Sequence, residues 1–220
     1  MIEFEKKLIK YTILIIVTAL LGMWLCFEVM FRICPQQVPP TIDESVQAQI
    51  ELTTKMNIVK MEIINEMDNY IFEVAPNCEI NSKVFFELCD KYEIDVRFAM
   101  AQGHIESHYA TKGTAAKTKS IFNVGAFDGY SAVKQIQKGF GYNDPNDSIE
   151  PYLALLNKDY LVNGKTIDDL LVNFVNKSNK RYASNPKYER MLRNTFNNIN
   201  NNTQLDILIA EYLEYKEQLG

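Results

Sequence analysis

Between Ile42 and Val74 the apolar positions Met56, Val59, Ile63, Met67, Tyr70 and Val74 recur at spacings of three and four, with Glu, Lys and Asn between them. That stripe predicts an amphipathic helix, and Pro76 and Asn77 end it. It is short and rich in Met for a coiled-coil seam; a stalk, a coiled-coil partner and the first helix of a domain all fit. Asn81 and Ser82 then cap a second helix, Lys83 to Glu93, with Val84, Phe85, Leu88 and Tyr92 inward. A third begins at Asp95, whose carboxylate accepts from the orphan amides of the first turn, and buries Phe98, Ala101, Gln102 and Ile105.

Further along, Ser148 to Asp159 turns Ile149, Tyr152, Leu153 and Leu156 inward, with Asp147 as its N-cap, Glu150 three residues on and Pro151 in the first turn. Thr166 to Val175 is another helix, capped by Thr166. Asn185 reads as the N-cap of the next, with Pro186 at its first position. Asn197 to Asn202 reads as an asparagine-rich linker, and Leu205 to Leu219 as a last amphipathic helix that docks on the domain or on a partner. The pattern therefore predicts a mainly α chain.

The N-terminus has a different character. Lys6, Lys7 and Lys10 precede Tyr11 to Phe27, an uncharged and mostly apolar run that ends at Glu28. As a helix it spans about 25 Å, a little less than a hydrocarbon core of about 30 Å, and Lys10 and Arg32 can snorkel to extend it. The lysines favour a cytoplasmic N-terminus with the following domain outside. The expected reading is a retained signal-anchor, against a cleaved signal peptide or a buried helix. Cys34 to Thr41, CPQQVPPT, is a stiff proline-rich linker. The expected organisation is a transmembrane segment at 1–33, the linker at 34–41, a helix at 42–76, a catalytic domain at 77–199, and a linker with the C-terminal helix at 200–220.

A net charge of −5 over 220 residues, with no basic run interleaved with aromatics, argues against nucleic acid as a partner. Of the four cysteines, Cys26 lies in the apolar run and Cys34 beside it. Cys78 and Cys89 are spaced to be core thiols or, facing an oxidising space, a bridge.

The chemistry concentrates in DVRFAMAQGHIESHYATKGTAAKTKSIFNVGAF, Asp95 to Phe127. Glu106 falls in the last turn of the third helix, beside Gly103 and Ser107, and faces a loop. A carboxyl so placed is partly desolvated, which raises its pKa towards the range of a general acid. His104 and His108 stand at i and i+4, a spacing that can hold zinc. However, Glu106 sits between them rather than directly after the first, and no third histidine exists, so no metal site is assigned. Thr111 to Ser120, with Lys112, Lys117 and Lys119, reads as a solvated cationic loop.

Four blocks in order, AMAQGHIESHYAT, KSIFNVGAFDG, YNDPNDSIEPYLALLNKDYL and RYASNPKYERML, resemble the glucosaminidase family of peptidoglycan hydrolases, of the glycoside hydrolase family 73 type. The resemblance covers about Asn81 to Ile199. It implies a lysozyme-like α+β fold, here mainly α with a reduced β-lobe because only about a dozen residues separate Tyr130 from Asn143. It implies Glu106 as the catalytic acid, in the pattern A-Q-x-x-x-E-[ST], and Phe122, Asn123, Gly125 and Tyr182 as residues of a glycan cleft. The short lobe leaves the second carboxylate to Asp128, the nearest acid, or to the substrate's own N-acetyl group. The expected activity is hydrolysis of a β-1,4 bond in peptidoglycan glycan strands by a membrane-anchored, extracytoplasmic enzyme that needs no cofactor. A catalytically weak glycan-binding or assembly protein, with a protein partner on the 42–76 or 204–219 helix, is the alternative; a zinc hydrolase using HIESH is a third reading.

Overall fold

The computed structural model describes residues 43–124 and 131–220, together with 20 and 22–24. The apolar run Tyr11 to Phe27 and the linker 34–41 lie almost wholly outside the described residues, as do Gly125 and Asp128. Among the described residues no helix is long and apolar enough to cross a membrane. The chain divides into two units, 1–48 and 49–220, and the second carries the site.

Helix α1, Glu44–Val74, enters the core through its later turns, where Val59, Ile63, Met67, Tyr70 and Ile71 are buried. Its first turns, with Val46 and Ile50, are exposed. The inward stripe is the expected one, with Ile71 added. Helix α2, Ser82–Lys91, starts at Asn81, whose side chain accepts from the Val84 amide. Its buried apolar residues are Phe85, Phe86 and Cys89, while Val84 and Leu88 are only half-buried. The inward face is thus rotated from the expected one, because Phe86 packs edge-on to Tyr212 at 5.3 Å. Cys78 and Cys89 are both free thiols.

Helix α3, Val96–Ser107, is capped by Asp95, which accepts from the Arg97 amide and also holds the Arg97 guanidinium. It is the most enclosed helix: Phe98, Ala99, Met100, Ala101 and Gln102 are wholly buried. The loop expected from Thr111 to Ser120 contains a short helix, α4, Ala115–Thr118, and Lys119 pairs with Glu79 rather than standing free in solvent. Helix α5, Ala132–Gln137, occupies the stretch expected to form a reduced β-lobe.

A 3₁₀ turn, Pro145–Ser148, leads into α6, Ile149–Leu155. The turn is capped by Asp144, whose carboxylate accepts from the Asn146 amide, and α6 itself starts from Ser148 with no side-chain cap, so the expected Asp147 caps neither. Helix α6 continues as a π turn, Leu156–Tyr160, closed by the Leu161 amide on the Leu156 carbonyl. That widened turn sets the Tyr160 ring edge-on to Phe174 at 5.0 Å.

Helix α7, Ile167–Val172, opens with a full capping box between Thr166 and Asp169. It ends earlier than expected, because the chain folds back on itself in a hairpin-like turn. Val175 and Arg181 form an isolated antiparallel bridge, and the Tyr182 amide donates to the Phe174 carbonyl at 2.8 Å. This is the one β feature among the described residues, whose architecture is otherwise helical.

Helix α8, Tyr188–Asn202, begins after Lys187; Asn185 and Pro186 form the preceding turn instead of the cap. The asparagines read as a linker are its last turns, held by the burial of Ile199. Helix α9, Leu205–Leu219, runs as expected and docks on the domain itself: Leu205, Leu208 and Tyr212 are buried, and Lys216 pairs with Asp90. The dominant helix contact is α3 against α8, and it is this contact that builds the site.

Candidate active site

Helix α3 ends at Ser107, and its last turn is fixed by an unusual cap. His108, Tyr109 and Ala110 have φ of 46°, 53° and 63°, three consecutive non-glycine residues in the left-handed region. The Tyr109 amide bonds the Gly103 carbonyl and the His108 amide bonds that of His104, so the terminal carbonyls are satisfied. Ser107 ties the turn to the following segment: its hydroxyl donates to the Ile121 carbonyl at 2.6 Å and accepts from the Ala110 amide at 2.7 Å. Left-handed residues of this kind each cost roughly 1–2 kcal/mol and persist where the surroundings over-determine them. Here they turn the chain sharply directly after Glu106.

Gly103 lets Ile121 and Tyr109 approach the helix. A Cβ there would meet Ile121 Cγ2 at 2.9 Å and the Tyr109 ring at 3.3 Å. The segment 121–123 therefore lies along α3, and Asn123, itself left-handed at φ 50°, reaches Glu106 twice. Its Nδ2 donates to the Glu106 main-chain carbonyl at 3.1 Å and lies 3.4 Å from Oε2.

The other carboxyl oxygen faces α8. The Tyr188 hydroxyl donates to Glu106 Oε1, and Gln102 Nε2 donates to the Tyr188 oxygen at 3.1 Å. The Tyr152 hydroxyl in turn donates to Gln102 Oε1. Gln102 is wholly buried, so an unpaired end of its amide would cost about 1–3 kcal/mol. Burial raises the Glu106 pKa above the ordinary 4.5, while the bonds from Tyr188 and Asn123 pull the other way. Burial wins.

Tyr182 stands behind this carboxyl. Its ring stacks on Phe174 (centroids 4.5 Å apart, planes at 13°) and its hydroxyl donates to the Phe122 carbonyl at 3.0 Å. Phe122 lies in the core: its ring is 1% exposed and stacks on Tyr152 at 3.7 Å, so it offers the site main chain rather than ring. The structure thus brings Glu106, Asn123, Phe122 and Tyr182 together, while Gly125 and Asp128 fall outside the described residues.

His104 and His108 pack edge-on with centroids 4.6 Å apart, and His104 Nδ1 is 3.1 Å from the Tyr70 hydroxyl. Burial depresses His104 to a pKa of about 4, so it is a neutral ring at pH 7. No group of three His, Cys, Asp or Glu among the described residues has the geometry to hold a metal.

Two residues of the site escape the sequence reading. Tyr188 is the second tyrosine of YASNPKY, visible in the motif but without a role there. Gln102 is the glutamine of AMAQGHIES, where helical spacing marks it as merely inward-facing. A glutamine on an otherwise apolar face is itself a signal, because a buried amide demands partners.

A half-buried carboxyl with a raised pKa, flanked by a phenol and an amide at a helix end, is the constellation of a general acid. Residues 82–201 match the glucosaminidase family, described as mannosyl-glycoprotein endo-β-N-acetylglucosaminidase. The match covers more than half of the chain, and the chain belongs to this family. It is a glycoside hydrolase of the endo-β-N-acetylglucosaminidase type, and the family supports peptidoglycan as its substrate class. No curated protein matches the chain.

Proposed function

We propose that the protein is a membrane-anchored peptidoglycan hydrolase that cleaves a β-1,4 glycosidic bond of the glycan strand with Glu106 as general acid. The observation that carries this reading is the Glu106 carboxyl itself, raised in pKa by burial and gripped from both sides by Tyr188 and Asn123. Its proton passes to the glycosidic oxygen as the C1–O bond breaks, and the bonding pair leaves with that oxygen. Water supplies the hydroxyl that ends on C1, and its remaining proton restores Glu106. Asp128 is the candidate second carboxylate, with the substrate's N-acetyl group as the alternative. Asn123, Gly125, Tyr182 and the main chain at Phe122 line the sugar site, and binding along several sugars supplies the energy to distort the ring that reacts. The anchor rests on the apolar run Tyr11 to Phe27 and its flanking lysines, which put the catalytic domain on the extracytoplasmic side.

Digestion of purified peptidoglycan by the full chain and by Glu106→Gln, with fragments read by mass spectrometry, tests the proposal. New reducing ends from the wild type alone support the acid assignment, and the terminal sugar names the bond. Equal release by both proteins transfers the role to another carboxyl. Binding without release by either supports a glycan-binding module.

A further inference from the structure

The hydrogen bonds behind Glu106 have a direction, and that direction is fixed at the end remote from the substrate. A carboxamide has one donor end and one acceptor end. The Tyr152 hydroxyl donates to Gln102 Oε1, which leaves Gln102 Nε2 to donate to the Tyr188 oxygen at 3.1 Å. A phenol oxygen that accepts there has a single hydrogen left to give, and it goes to Glu106 Oε1. Tyr152 and Gln102 are both wholly buried, so water does not compete for either end of the amide.

We propose that Tyr152 and Gln102 are positioning residues that orient the Tyr188 hydroxyl as a donor to Glu106 Oε1, and so leave the transferable proton to Oε2, on the Asn123 side. This rests on the reading of Glu106 as the acid. The carbonyl oxygen of a protonated carboxyl is the better acceptor, so the strong bond from Tyr188 to Oε1 favours the proton on Oε2. Asn123 lies farther from Oε2, at 3.4 Å, because its amide bonds chiefly to the Glu106 main-chain carbonyl at 3.1 Å. When Oε2 gives up its proton, the carboxylate left behind already has a donor aimed at Oε1, and no group needs to reorient.

The same relay tunes the acid. A donor to the ionised carboxylate opposes the rise that burial produces. If Tyr152 no longer holds Gln102, the amide is free to turn and accept from Tyr188, and Glu106 loses its donor. The other titratable groups around Glu106 are the Tyr182 phenol in the hairpin-like turn and, next to Tyr188 on α8, Glu189, whose carboxylate is held by Arg181. On α3 itself they are His104, bonded to Tyr70, and His108, packed against it with Lys112 nearby. Gln102 also donates to the Tyr182 oxygen, from the same amide end that serves Tyr188, and the contacts of the other groups do not involve Gln102.

The test is the titration of the Glu106 carboxyl carbon by NMR in the full chain labelled at glutamate side chains, assigned by its loss in Glu106→Gln. The pH profile of peptidoglycan digestion is followed alongside. Tyr152→Phe is expected to move the Glu106 titration, and with it the alkaline limb of kcat/KM, upward by about half a pH unit. Tyr188→Phe moves it at least as far, and the double variant no farther than Tyr188→Phe alone. If the titration stays in place in Tyr152→Phe while Tyr188→Phe shifts it, the Tyr152–Gln102 pair serves packing alone and the proposal falls. If Glu106→Gln still digests peptidoglycan, the acid assignment falls, yet the titration continues to report on the relay.

Discussion

Asn123 holds Glu106 by its main chain as well as by its carboxyl: the Asn123 amide is 3.1 Å from the Glu106 carbonyl and 3.4 Å from Oε2. The first contact satisfies a carbonyl in the last turn of α3, where intrahelical partners run out. The second keeps a donor beside Oε2. One side chain thus fixes both the end of the helix and the rotamer of the acid.

Asn123→Gly separates these contributions from backbone strain. Glycine adopts a φ of 50° freely, so the substitution relieves strain while removing both bonds. The gain and loss nearly offset, and the net stability change is expected to stay within about 1 kcal/mol. Activity on peptidoglycan is expected to fall about 10–100-fold, equivalent to losing one or two hydrogen bonds to the acid. Thermal unfolding beside kcat/KM decides it: parallel losses in both would make Asn123 a fold residue.

Glu106→Gln has an expected effect on stability as well as on turnover. The Glu106 pKa is raised above 4.5 in the folded protein, so the folded state binds more protons than the unfolded one over the interval between the two values. Stability therefore falls as pH rises through that interval, and the penalty is fully present above the folded pKa. The glutamine variant escapes it. It is expected to be more stable than the wild type at pH 7 and so to unfold at a higher temperature. The gap closes as pH falls to about 3.5 and below, where the wild-type carboxyl is protonated in both states. Melting curves at several pH values measure this, and a gap that widens towards acid would reverse the sign assigned to burial.

The helices were largely legible in the sequence, because their inward faces repeat every three or four residues and the periodic stripes of α1 and α9 are long. Their ends were less so. Asn185 and Pro186 carry the composition of a helix start, yet the chain needs two more residues to bring Tyr188 over Gln102. The asparagines at 197–202 look like a linker, and only the packing of Ile199 in the core reveals a helix. Glu106 was legible because a carboxylate at the end of a buried helix is a local feature. Its bond to Tyr188 was not, because the two lie far apart in the chain and meet only through the crossing of α3 and α8. The role of the Tyr182 hydroxyl was hidden for the same reason: its acceptor is a main-chain carbonyl at Phe122, which no residue type announces.

The C-terminal helix is part of the folding unit. Tyr212 is 5% exposed, packs edge-on to Phe86 and donates to Asp90 at 3.2 Å. Tyr212→Ala is expected to cost about 3 kcal/mol through the cavity left against Phe86. Tyr212→Phe keeps the ring and loses the hydrogen bond, at about 1 kcal/mol. Urea unfolding of the two variants measures the difference. Equal, small effects would mean that α9 adds little to the domain.

Gly103 is the position where the fold and the site meet most closely. Alanine there gains about 1 kcal/mol of helix propensity. Its Cβ, however, would stand 2.9 Å from Ile121 Cγ2 and 3.3 Å from the buried Tyr109 ring. Neither neighbour has room to retreat: Ile121 and Tyr109 are wholly buried, and the Ile121 carbonyl is held by Ser107. Overpacking of this kind costs about 1–3 kcal/mol, so Gly103→Ala is expected to be destabilising by about 1 kcal/mol net. The displacement also reaches the chemistry, because Ile121 precedes Phe122 and Asn123 on the segment that clamps Glu106. A shift of that segment away from α3 lengthens both Asn123 contacts, so kcat is expected to fall even at temperatures where the variant is fully folded. Gly103→Ala that is as stable and as active as the wild type would show that the segment moves freely. In that case the close approach of Ile121 to α3 does not position the acid.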